Sequence, residues 1–169
     1  KGALDANTTA DHNTGVGKDA LYANTTGDNN NAFGVSALAA NTTGVGNVAV
    51  GHQALKLNDA SYNVAIGSIA LDANTSGSHS QAVGYNALGA STTGVNNTAV
   101  GSNALSSNTT GGNNQAFGNN ALRDNTTASL NIAIGQSSLL LNTTGTQNTA
   151  VGAYALDANT TANNNIAVG

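Results

Sequence analysis

The sequence predicts an all-β protein, a parallel β-solenoid of ten coils flattened into a β-roll. Three observations predict it. A glycine closing an N-x-A-V-G limb recurs at Gly17, Gly34, Gly51, Gly67, Gly84, Gly101, Gly118, Gly135, Gly152 and Gly169, in steps of 17 residues with one step of 16 between Gly51 and Gly67. A leucine in an A-L pair keeps the same steps from Leu4 to Leu156. An N-T-T-G link returns each coil to the next. A fixed period near twenty residues is the signature of a repeat array, in which each unit packs only on its neighbours. The whole chain, residues 1–169, reads as a single array.

The first limb has strand chemistry. Its fourth position is Val16, Phe33, Val50, Ile66, Val83, Val100, Phe117, Ile134, Val151 or Val168, β-branched or aromatic every time. Its third position is Ala in nine coils and Gly15 in the first. Neighbouring strand residues point to opposite faces, so a large apolar row and a small one lie on opposite sides of one strand. The second position varies, from Thr14 and Asn31 through Val48 and Gln81 to Ile166, and shares the face of the large row. The second limb, around A-L, lacks β-branched residues and fits either a short strand or one helical turn. The residue after each leucine is unrestricted, Asp5, Lys56 and Leu140 among others, and reads as solvent-facing. The link holds Asn at Asn7, Asn24, Asn41, Asn58, Asn74, Asn108, Asn125, Asn142 and Asn159, with Ser91 as the substitute. Asn and Gly tolerate positive φ, so this is turn chemistry. The single deletion falls in this link, at 58–63, where a solenoid tolerates a change of length.

Stacking these coils in parallel sets like residues above like, about 4.8 Å apart, and allows the Asn rows to form amide ladders. With the Val and Leu rows as the interior, apolar burial per coil is small beside the entropy of ordering a coil. The flat Ala row is then the surface expected to meet another chain, around an axis parallel to the rod. The period runs on in register from Gly169 to Lys1, and no polar terminal caps are evident, so a segment of a longer fibre is expected.

Charged residues are 7% of the chain and net charge is −4. The low charge and strict apolar period argue against disorder. The acidic balance argues against nucleic acid or an anionic membrane as a partner. No apolar run approaches the ~20 residues of a membrane helix, so no membrane insertion is expected. Cys is absent, which removes disulfides and thiolate metal sites.

Asn63-Val64-Ala65-Ile66-Gly67 and Asn131-Ile132-Ala133-Ile134-Gly135 resemble the head repeat of trimeric autotransporter adhesins, the YadA-like heads. The fuller unit, N-T-A-V-G-x-x-A-L-x-x-N-T-T-G, is similar to arrays in tail-fibre-like proteins of phages and bacteria. The adhesin repeat is shorter and lacks the constant A-L-x-x-N-T-T-G. The resemblance implies a left-handed roll, trimerised along its length, outside the cell on a cell or virion surface. The function expected is therefore a shaft or head segment acting in attachment and spacing. Its partners would be its own copies, as a homotrimer or longer filament, with a host receptor or glycan. The alternative is a solenoid that binds ice or glycan along its Thr and Asn rows.

No catalytic, cofactor or metal site is expected. His12 and His79 occupy the same place in the unit, but four coils apart, and His52 lies elsewhere. Asp11 and Asp28 align on adjacent coils, where two carboxylates either share a Ca²⁺ or stand as solvated acids; the second fits better. Asn24-Thr25-Thr26 and Asn108-Thr109-Thr110 match glycosylation sequons but read more simply as turns. Adjacent Thr residues point opposite ways in extended chain, which leaves one outward rank, a poor ice plane. Tyr22, Tyr62, Tyr85 and Tyr154 are scattered and form no sugar platform.

Overall fold

The computed structural model describes residues 2–169. Ten three-residue strands form one parallel sheet: β1 Thr14–Val16, β2 Asn31–Phe33, β3 Val48–Val50, β4 Val64–Ile66, β5 Gln81–Val83, β6 Thr98–Val100, β7 Gln115–Phe117, β8 Ile132–Ile134, β9 Thr149–Val151 and β10 Ile166–Val168. They stack in sequence order, each strand on the next, and no helix occurs among the described residues. Equivalent residues pair without slip, for example Ala82 with Ala99 and Val83 with Val100. The one-residue deletion does not disturb this, since Val48 still pairs with Val64. The expected parallel β-solenoid is the fold observed.

The interior is the reverse of the expected one. The Ala row faces inward and carries no exposed surface from Ala32 to Ala150, whereas Val50, Ile66, Val100 and Phe117 on the same strands are exposed. The Ala row is therefore core within one chain and not a contact surface for another. The reason is the narrowness of the coil. A Cβ built on Gly15, the glycine in the Ala row, would lie 3.3 Å from the Leu4 side chain and 3.4 Å from Ala3 Cβ. The opposite limb comes so close that only Ala fits between the strand and the leucines. A Val or Phe turned inward would overpack the coil.

The A-L limb is neither strand nor helix but a run of turns. Ala87 N–H bonds Gly84 C=O within the coil, and Leu88 N–H bonds Ala104 C=O of the next. Positive φ falls on the leucines themselves, from Leu4 to Leu156, at 50–55°. Left-handed backbone costs a non-glycine residue roughly 1–2 kcal/mol, and burying a leucine returns ~1.5–3 kcal/mol. The residue after each leucine is half-buried rather than free in most coils.

The closing glycines do require glycine. Gly84 has φ +135°, and a Cβ there would meet the Gly101 carbonyl oxygen at 2.6 Å. Each such corner lies directly under the next, with no room for a side chain.

Two rows of asparagine complete the core. Asn41 Nδ2 donates to Asn24 Oδ1 at 2.9 Å and to Gly44 O at 3.0 Å; Asn125 repeats this with Asn108 and Ala128. In the second row, Asn114 Nδ2 donates to Ala128 O, and Asn97 Oδ1 accepts the Asn114 backbone N–H at 2.9 Å. The expected amide ladders are present, and they lie inside, where each amide satisfies a carbonyl that water cannot reach.

Candidate interaction face

On each strand the first and third residues point outward. The first is half-buried in most strands, and the third is exposed in all but β5 and β9, where it is half-buried. In-register pairing stacks these residues into two parallel ranks that run the length of the array. The outer rank is Val, Ile or Phe in every coil. The inner rank reads Thr14, Asn31, Val48, Val64, Gln81, Thr98, Gln115, Ile132, Thr149, Ile166. All charged residues of the chain lie at other places in the unit. Polar members of the inner rank bond along it: Thr98 Oγ1 donates to Gln81 Oε1 at 3.1 Å. The result is a flat, uncharged, largely apolar strip.

The remaining surface is mixed: Val35, Leu57, Tyr62, Tyr85, Val95, Leu130, Leu141 and Tyr154 stand exposed on the turns, scattered among polar residues that hold coils together. The first threonine of most links is tied down: Thr25 Oγ1 donates to Thr42 O, and Thr109 Oγ1 to Thr126 O at 3.0 Å. The second stands exposed, as at Thr26, Thr93 and Thr144, so one free Thr rank remains. It is interrupted at the deletion, where Asp59 takes over. Asp59 Oδ1 accepts the backbone N–H groups of Thr42, Thr43 and Gly44 at 2.8, 2.7 and 3.2 Å. Burial pushes this carboxyl up, but the hydrogen bonds from Thr42, Thr43 and Gly44 outweigh burial and hold it below the usual carboxylate range.

The residues singled out from sequence are dispersed. His12 and His79 sit in the same turn of coils whose strands, β1 and β5, have three others between them. His79 stacks on Tyr62 with centroids 5.3 Å apart, and His52 is exposed elsewhere. Asp28 Oδ1 accepts the Asp11 N–H at 2.7 Å, so this pair braces adjacent coils. Asn24 and Asn108 of the two sequons are fully buried, which denies a transferase access to their amides. Tyr154 Oη accepts a hydrogen bond from Gln136 Nε2, and Tyr85 lies in the same turn of the unit, one place earlier and four coils away. The described residues contain no cluster of three or more potential metal ligands and enclose no pocket. Sequence reasoning missed the outward strip because it assigned the Val row to the core. No protein-family model, curated protein or solved structure matches the chain.

Proposed function

We propose that the chain is a structural segment of an extracellular fibre, the shaft or head of an adhesin-like or tail-fibre-like protein on a cell or virion surface. The observation that carries this reading is the uncharged Val/Ile/Phe strip on the sheet. Ten strands about 4.8 Å apart make a strip of roughly 450 Å² if it is ~10 Å wide, within the ~300–600 Å² of the largest apolar patch on a typical monomer, which is often an interaction site. A second copy of the chain covers it best, because only another array repeats at the same spacing along its whole length. Association about an axis parallel to the rod, as in a homotrimer, buries the strip of every copy and leaves the turns outside. The segment then acts by position: it holds a tip that binds a host receptor or glycan away from the surface, or presents a repetitive flank for weak multivalent contact.

The test is the mass of the chain by sedimentation equilibrium, with negative-stain images of the same sample. A multiple of the 16.5 kDa chain mass and thin rods are expected. A folded monomer at micromolar concentration overturns the reading and leaves a free face, to be tested for thermal hysteresis and glycan retention.

A further inference from the structure

We infer that the outward strand positions carry an alignment code, in which Asn31, Gln81 and Gln115 with the bulky Phe33 and Phe117 select parallel, in-register association of two copies. This rests on the self-association proposed above and goes beyond it, to how one copy finds its place along another.

A strictly repetitive strip has no register of its own, because a slip by any whole number of coils restores the same backbone match. This strip is not strictly repetitive. The buried rows barely vary, whereas the inner outward rank alternates in blocks: Val48 and Val64 are apolar, Gln81, Thr98 and Gln115 polar, Ile132 apolar again. With copies parallel about a common axis, each residue lies level with its own counterpart. Amides then meet amides and aliphatic side chains meet aliphatic ones. A slip of one coil sets Asn31 level with Val48, Val64 with Gln81 and Gln115 with Ile132, so the Asn31 and Gln115 amides lose partners in a dewatered contact and Gln81 keeps only its own-chain bonds to Thr98 and His79. A slip of two coils fails in the same way, setting Val48 level with Gln81 and Val64 with Thr98. Bulk follows the same pattern. Phe33 and Phe117 fall in coils that also carry Asn31 and Gln115, so the largest cross-sections occur at two levels only. Any slip of fewer than five coils sets these rings against smaller Val or Ile layers. Buried polar residues that fix register at some cost in stability work this way in coiled coils.

The chain has no cysteine, so single cysteines report the register cleanly. Val83 and Val100 are equivalent positions one coil apart. V83C, carrying a size tag, is co-expressed with untagged V100C, and the assembly is oxidised and resolved by mass. A disulfide needs Cα atoms about 4.4–6.8 Å apart, too short to span both a gap between chains and a coil offset. Tagged–tagged and untagged–untagged pairs are expected, with mixed pairs at least tenfold rarer. Mixed pairs in comparable yield, or an oligomer with no disulfide at either position, overturn the code. A monomer overturns the self-association itself, a distinct outcome. The variant N31V/F33V/Q81V/Q115V/F117V keeps the fold and the mass, because these side chains point outward, and is expected to raise mixed pairs to the level of like pairs. If they stay rare in that variant, the assignment to these residues is wrong.

Discussion

Asp59 shows how one residue repairs a defect in a periodic chain. Elsewhere the paired threonines supply the link, and a backbone carbonyl of the next coil accepts their N–H groups, as Thr42 O does for Thr25 and Thr26. The deletion removes that geometry, and the Asp59 carboxylate takes its place against Thr42, Thr43 and Gly44. Because its folded pKa lies below the unfolded value, its contribution is present above the ordinary carboxylate range near pH 4 and is lost as pH falls through the folded pKa. Asp59→Asn is expected to cost about 1 kcal/mol at pH 7, the charge-assisted bonds being discounted for solvent exposure. The difference from the parent should shrink as pH falls below the ordinary carboxylate pKa and vanish once pH is below the lowered folded pKa, as read from denaturant midpoints across pH. A difference that persists undiminished in acid excludes this role. The same residue marks a limit of sequence reading: the deletion and its place in a turn were visible, but not that a carboxylate stands in for the missing carbonyl.

The Asn ladders are continuous only in part. In the first row Asn58 donates to Ala60 O and not to Asn41, so Asn41 Oδ1 is buried without a partner. Ser91 replaces Asn in the sixth coil, and its buried Oγ has none either. Ser91→Asn is expected to stabilise the chain by about 1 kcal/mol, since an amide there reaches both a neighbouring coil and its own turn carbonyl. Asn125→Ala, within the unbroken run from Asn108 to Asn159, is expected to cost about 1–3 kcal/mol by stranding buried partners. Thermal melts of the two variants check both, and a destabilising S91N refutes the ladder argument. At this scale the sequence was informative to an unequal degree. Period, strands, corners and ladders follow from which residues recur. The inner and outer faces of the strand were inverted because residue size was used to decide, with Val judged a better core residue than Ala. Variability decides better. The rank of Asn31, Val48 and Gln81 tolerates almost any side chain, as a surface does, and Val50 and Val83 share its face. The Ala and second Asn rows, on the other parity, hardly change. Left-handed backbone at the leucines could not be read, because propensity places it on Asn and Gly, and only the cross-section of the closed coil moves it to Leu.

As a whole molecule the array has no single core, and its stability is a sum over coils and the contacts between them. Opening therefore starts wherever a contact between neighbours is weakest, and the ladders predict where. The contact between the third and fourth coils loses the Asn41–Asn58 bond and depends instead on Asp59 and on the second Asn row, where Asn63 N–H still reaches Asn47 Oδ1. The contacts of the Ser91 coil lack the amide link of the first row, while the coils from Asn108 to Asn148 keep both rows intact. Hydrogen exchange followed by mass spectrometry should find the slowest amides in residues 104–150. Faster exchange is expected at 41–60, and the gap should widen as pH falls below the ordinary carboxylate pKa and the contribution of Asp59 is lost. The deletion then acts as a seam dividing the rod into a short and a long cooperative block. Protection that falls off smoothly from both ends, with no step at 41–60, refutes the seam and makes Asp59 a full replacement for the contact it repairs.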